Sequence, residues 1–254
     1  LHIPGRGGFG CGQIDPSNAM STITIAPPPK TASPPIQKET TAGNYFIANY
    51  PPFAFWTTEA LPELGKALDR APREGVPLGL YTHIPFCRKR CHFCYFKVYT
   101  DKDAQEIRNY LDALLADLAL YAGKAVIGGR KPKYLYFGGG TPSYLSPDQL
   151  KFLTEGMKRQ LSWDEATEIT FEAEPGTLTD HKLRAICEMG VTRLSLGVEQ
   201  FDDHILEING RAHRSKEIAR AYGYAREIGF PQINIDLIAG MVEETEEKWL
   251  EAVA

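Results

Sequence analysis

The chain has 254 residues, 28 Lys and Arg against 32 Asp and Glu, and 43% hydrophobic residues, a composition that fits one large α/β domain or two small ones with a substantial core. Its net charge of −4 argues against a nucleic-acid partner held by bulk electrostatics. No apolar run approaches the ~18 residues a bilayer span needs, and the aliphatic and aromatic content excludes disorder throughout.

Residues 1–43 are rich in glycine and proline, from PGRGGFGCG to PPPKTASPP at 27–35, and read as a disordered tail with polyproline II character around Pro27–Pro29. No basic region followed by an apolar core opens the chain, so no signal peptide is read and a cytoplasmic setting is expected. The first residue is Leu1 and the first methionine Met20, a pattern expected of a fragment or a mis-assigned start. Residues 44–77 read as an N-terminal arm: aromatic from Tyr45 to Trp56, helical around 58–70, then broken between Pro72 and Pro77.

From Pro77 onward the pattern is regular. Strand-like runs occupy 78–84, 133–138, 168–173, 193–199 and 232–238, with helices expected at 103–122, 147–160, 180–189, 215–228 and 243–254. Ser146-Pro147 and Thr179-Asp180 are helix starts, and Gly190 and Gly229 are stops. Strands alternating with helices imply right-handed βαβ units and a parallel sheet, either doubly wound or a (β/α) barrel.

Five cysteines are present, Cys11, Cys87, Cys91, Cys94 and Cys187. An odd number with three crowded into eight positions is no disulfide framework; a reduced compartment with a metal or redox site is the better reading. The crowded three lie in Y-T-H-I-P-F-C-R-K-R-C-H-F-C, residues 81–94, with C-x3-C-x2-C spacing directly after the first strand. Thiolates suit zinc or an iron–sulfur cluster, and closed sites of either kind recruit four ligands. Three leave two alternatives: an iron open to an exogenous ligand, or a zinc knuckle completed by His83 or His92. Arg88, Lys89 and Arg90 would lower the thiolate pKa values and offset cluster charge.

Further unusual residues follow the later strands. F-G-G-G-T-P at 137–142 is a glycine turn able to approach a ligand with its backbone N–H groups. F-E-A-E-P-G-T puts Glu172 and Glu174 on one face of the third strand, where two carboxylates are costly to bury unpartnered. Asp236 sits amid Ile and Leu in I-N-I-D-L-I-A-G.

The cysteine motif resembles the signature of radical S-adenosylmethionine (SAM) enzymes, and Y-x-H-I-P-F-C resembles more narrowly the oxygen-independent coproporphyrinogen III oxidase-like group. The resemblance covers residues 81–254 and, more weakly, 44–80. It implies a partial (β/α)6 TIM-type barrel, of which this chain would hold five units and end before the sixth. It implies a [4Fe–4S] cluster on Cys87, Cys91 and Cys94 whose open iron binds SAM. Reduction would then give a 5′-deoxyadenosyl radical that abstracts hydrogen from the substrate. By the same resemblance Tyr81, Phe93, Gly139, Gly140, Thr141, Glu172, Arg211 and Asp236 contact SAM. Relatives usually carry Gln where this chain has Glu199, followed by Gln200; either Gln200 substitutes or the contact has changed.

Within the group, the implied activities are oxidative decarboxylation of a porphyrinogen, haem trafficking as a chaperone, or class C methyl transfer. The aromatic arm favours the oxidase and haem-degradation branches over the chaperones. Phe96, where the oxidase often has a further cysteine, points the other way. A tetrapyrrole substrate and a reductant such as flavodoxin or ferredoxin are the implied partners. Cys187 is expected to be an ordinary buried residue and Cys11 to have no role.

Overall fold

The computed structural model describes residues 57–254; the glycine- and proline-rich tail and the aromatic run 45–56 lie outside them. Of the described residues, those up to Arg70 belong to one compact unit and Ala71–Ala254 to another. In the first, a 3-10 turn at Thr58–Ala60 leads into α1, Leu61–Leu68, with Pro62 in its opening turn, where a missing N–H costs nothing.

The second unit is built on five strands: β1 (Leu78–Ile84), β2 (Pro132–Gly139), β3 (Glu168–Ala173), β4 (Arg193–Glu199) and β5 (Gln232–Leu237). All neighbours pair in parallel, in the order β1-β2-β3-β4-β5. A doubly wound sheet reverses its strand order at a switch point; strict sequence order is instead that of a barrel, whose crossovers all run the same way. Among the described residues the sheet is an open five-stranded arc of that type.

The connections carry α2 (Ala104–Ala122), α3 (Pro147–Gln160), α4 (Asp180–Glu188), α5 (Asp203–Ile208) and α6 (Ser215–Ile228), and α7 (Glu246–Val253) follows β5. Local chemistry sets their ends. Asp103 and Ser146 each form a reciprocal capping box, with Glu106 and Gln149, and Thr179 caps α4 through the Lys182 N–H. Gly229 closes α6 at φ 84°, a left-handed turn suited to glycine.

Alternation along the strands sorts the two faces. Leu135 and Phe137, Ile169 and Phe171, and Leu194 and Leu196 are buried in one core with Leu111 of α2, Leu153 of α3 and Ile186 of α4. Each such side chain contributes roughly 1.5–3 kcal/mol by burial. The opposite face presents Tyr81, Tyr136, Glu172, Ser195, Asn234 and Asp236, a polar lining that opens at the C-terminal strand ends. No described helix is long and apolar enough to cross a membrane.

Candidate cofactor site at the strand ends

A cleft of about 220 Å³ lies there, lined by the cysteine loop, the glycine turn after β2, Glu172 and Glu174, Gly197 and Glu199, Arg211 and Asp236. These segments are drawn from sequence positions between Cys87 and Asp236, and the parallel sheet brings them together.

The cysteine loop starts from β1 and is tied down by backbone bonds. Cys87 N–H donates to the Tyr99 carbonyl (3.0 Å), Tyr99 N–H to Pro85 (2.9 Å), and His92 N–H to Asn209 (3.0 Å). Cys87 Sγ accepts from the Thr141 hydroxyl at 3.3 Å, and Cys91 Sγ from Arg211 Nη1 at 3.2 Å. Burial pushes the Cys87 thiol up, with Thr141 and Arg211 opposing in part. The basic triplet therefore does not lower this thiol as expected. Arg88 is spent on the carbonyls of Gly176 and Ala212, and Arg90 on that of Cys94.

The glycine turn packs against this loop so closely that a Cβ on Gly140 would stand 2.9 Å from both Cys87 Sγ and the Phe86 carbonyl. Its N–H groups are not free, contrary to the expectation of ligand donors. Gly139 donates to Glu172 Oε2, Gly140 to the Ile84 carbonyl and Thr141 to the Phe86 carbonyl.

Glu172 accepts from the Tyr136 hydroxyl at 2.6 Å as well as from Gly139 N–H at 3.2 Å. Burial nevertheless pushes its carboxyl above the usual range, and raises the Tyr136 hydroxyl strongly. Glu199 sits at a register break between Gly197 and Glu199 with φ 68°, a left-handed conformation that turns its carboxylate inward. Burial pushes Glu199 up, Arg211 at 3.6 Å opposes this, and Asp236 and Glu172 reinforce it. Asp236 accepts from Ser195 Oγ and Asn234 Nδ2. Arg211 Nη2 donates to the Gly197 carbonyl, while its buried Nε has no partner among the described residues.

Other candidates fall elsewhere. Tyr81 is not in the cleft lining; its hydroxyl meets His83 Nδ1 at 3.0 Å, and both line a separate groove along β1 and α2. Phe93 is at the cleft and partly exposed. Gln200 does not substitute for Glu199: it is buried against Glu244 and the Phe201 N–H. His92 Nδ1 bonds the Ile208 carbonyl. No three His, Cys, Asp or Glu side chains among the described residues converge on a single-ion position. Cys187 is half-buried rather than fully buried and packs against the core. Sequence reasoning missed His213, which is buried and paired with Glu174 at 2.8 Å. Its only signal is its place two residues after Arg211 in N-G-R-A-H.

The family model of the Radical SAM superfamily matches residues 81–254. The chain belongs to that superfamily. Radical SAM proteins use a [4Fe–4S] cluster and SAM. Among curated relatives, the chain is 40% identical over 166 residues to the heme chaperone HemW of Bacillus subtilis, covering 65% of this chain and 43% of that protein. It is 34% identical over 184 residues to the oxygen-independent coproporphyrinogen III oxidase of Escherichia coli, covering 72% and 39%. The solved structure of the Escherichia coli coproporphyrinogen III oxidase HemN, a radical SAM enzyme, superimposes with a TM-score of 0.67 at 32% identity, covering 78% of this chain and 44% of HemN. The chain thus spans less than half the length of these relatives.

Proposed function

We propose that Cys87, Cys91 and Cys94 hold a [4Fe–4S] cluster, that the adjoining cleft binds SAM, and that the resulting chemistry serves a tetrapyrrole. The observation that carries this is the joint occupancy of one cleft by three cysteine sulfurs, an Arg211 with an unpartnered buried Nε, and four carboxylates. That donor set is complementary to a soft multi-iron group together with a ligand bearing both a carboxylate and an ammonium. The cluster and SAM, when bound, supply a hydrogen-abstracting radical after one-electron reduction.

The chain's own residues have distinct tasks. Thr141 and Arg211 hold the sulfurs of Cys87 and Cys91 by hydrogen bonds. Arg211 also keeps a donor for a ligand carboxylate, and the absent side chain of Gly140 leaves space beside Cys87. Glu199 and Asp236 accept hydrogen bonds from cationic or hydroxyl groups, and Glu172 is oriented by Tyr136. A flavodoxin- or ferredoxin-type protein fits the role of reductant.

Two outcomes for the tetrapyrrole have support. Oxidative decarboxylation of a porphyrinogen follows from the likeness to the oxidase. Haem trafficking follows from the likeness to the chaperone and from Phe96, which lines the cleft where the oxidase often has another cysteine. The test is anaerobic reconstitution of the full chain followed by SAM, reductant and coproporphyrinogen III. Iron and sulfide bound by the wild type but lost in a Cys87→Ser, Cys91→Ser, Cys94→Ser variant support the cluster. Deoxyadenosine with protoporphyrinogen supports the oxidase, whereas stoichiometric haem binding without turnover supports the chaperone. An intact cluster that yields neither deoxyadenosine nor haem binding would refute the reading.

A further inference from the structure

His213 is fully enclosed, and each of its ring nitrogens faces an oxygen: Nδ1 lies 2.8 Å from Glu174 Oε1 and Nε2 3.2 Å from the Val198 carbonyl. A carbonyl only accepts, so Nε2 carries a proton. A carboxylate opposite Nδ1 calls for a second proton in that bond. Burial works against the Glu174 charge, but His213, Arg88 and Arg211 outweigh it and hold the carboxyl below its ordinary range. Lys182 of α4 faces the same carboxylate.

Glu174 Oε1 also accepts from Gly176 N–H at 3.0 Å. The pair thereby joins the turn after β3 to the segment leading into α6. Arg88, the residue after Cys87, spans that junction. It donates to the Gly176 carbonyl at 3.2 Å and to the Ala212 carbonyl at 2.5 Å, and lies 3.7 Å from Glu174. Any side chain on Gly176 would run into Arg88, Glu174 and His213 together.

We propose that the Glu174–His213 pair positions the cysteine loop, by fixing the two carbonyls on which Arg88 rests. Its purpose depends on the cluster reading above; its geometry does not. His213 is a positioning residue that acts through Arg88. Glu174, Arg88, Arg211 and Lys182 are the charged groups gathered around the pair.

The test is amide hydrogen exchange of residues 88–94 in the full chain without cluster, at one pH and corrected for intrinsic rates. His213→Gln should exchange about tenfold faster there than the wild type. Arg88→Met should loosen the same residues, and the double variant should be no looser than either single one. Core amides of β2–β4 report whether a variant folds; should His213→Gln lose them, Arg88→Met decides alone. A loop as protected in these variants as in the wild type, or strictly additive effects, would overturn the proposal. Iron and sulfide uptake by the wild type is measured separately, so its failure would count against the cluster reading and not against the loop result.

Discussion

Gly140→Ala isolates the close approach between the glycine turn and the cysteine loop. The added Cβ would lie 2.9 Å from Cys87 Sγ, 2.9 Å from the Phe86 carbonyl and 3.2 Å from the Ile84 carbonyl. Two of these are backbone oxygens that also accept the hydrogen bonds of Thr141 and Gly140, each 2.8 Å long. Relief therefore means moving β2 away from β1 and stretching those bonds. Overpacking costs about 1–3 kcal/mol and a weakened hydrogen bond about 1 kcal/mol. The entropy that alanine removes from the unfolded chain returns about 0.4–1 kcal/mol. The balance is about 1–3 kcal/mol of lost stability. Gly223→Ala, inside α6 with nothing within 4 Å of its Cβ, should instead stabilise by about 1 kcal/mol through helix propensity. With a urea m-value of roughly 2–3 kcal/mol/M, the two midpoints should separate by about 1 M. Alkylation of buried Cys87 should also quicken in Gly140→Ala alone. Midpoints that shift together, with Cys87 equally slow in both, would refute the packing argument.

Phe137 is 1% exposed and meets Phe171 at 5.6 Å and Trp163 at 6.4 Å between ring centroids; Phe137→Ala should cost about 3–5 kcal/mol in urea unfolding. A loss under about 1 kcal/mol there would mean that this part of the core collapses around the cavity. The Glu172 carboxyl is raised by burial, so the folded state binds its proton more tightly than the unfolded state does. Its contribution is fully present below the unfolded pKa of about 4.3 and is lost as pH rises through the folded value. Glu172→Gln, which keeps an oxygen for Tyr136, should flatten the urea midpoint over that window. An unchanged pH slope would contradict the assignment.

The strands were legible because each alternates, and 78–84, 168–173 and 193–199 end where the apolar rhythm ends. Ser146 and Thr179 announced their helices through side-chain caps that act within three residues. Where local rules stop, so did the reading. The helix expected from 243 begins at Glu246, because Glu243 adopts φ 62° in the preceding turn and Thr245 supplies the cap. Helix α5 is six residues long, too short to show a period. The inward turn of Glu199 depends on a bulge, and its left-handed backbone carries no glycine to mark it. His213 carries no local signal, because its partner Glu174 lies 39 residues away. The glycine turn was recognised by composition, yet what its N–H groups bind is decided by β1 and β3.

The sequential order of the strands has a consequence during synthesis. Each strand can dock on its predecessor as it leaves the ribosome, so β1 and the cysteine loop are made early. The groups that fasten the loop come much later: Arg211 follows Cys91 by 120 residues, and the Ala212 carbonyl follows Arg88 by 124. At roughly 5–20 residues per second, the nascent chain carries three unprotected thiols for about 6–25 seconds before their clamp exists. Any oxidant or loading machinery that reaches Cys87, Cys91 and Cys94 in that interval meets them on a loop that has not yet been closed.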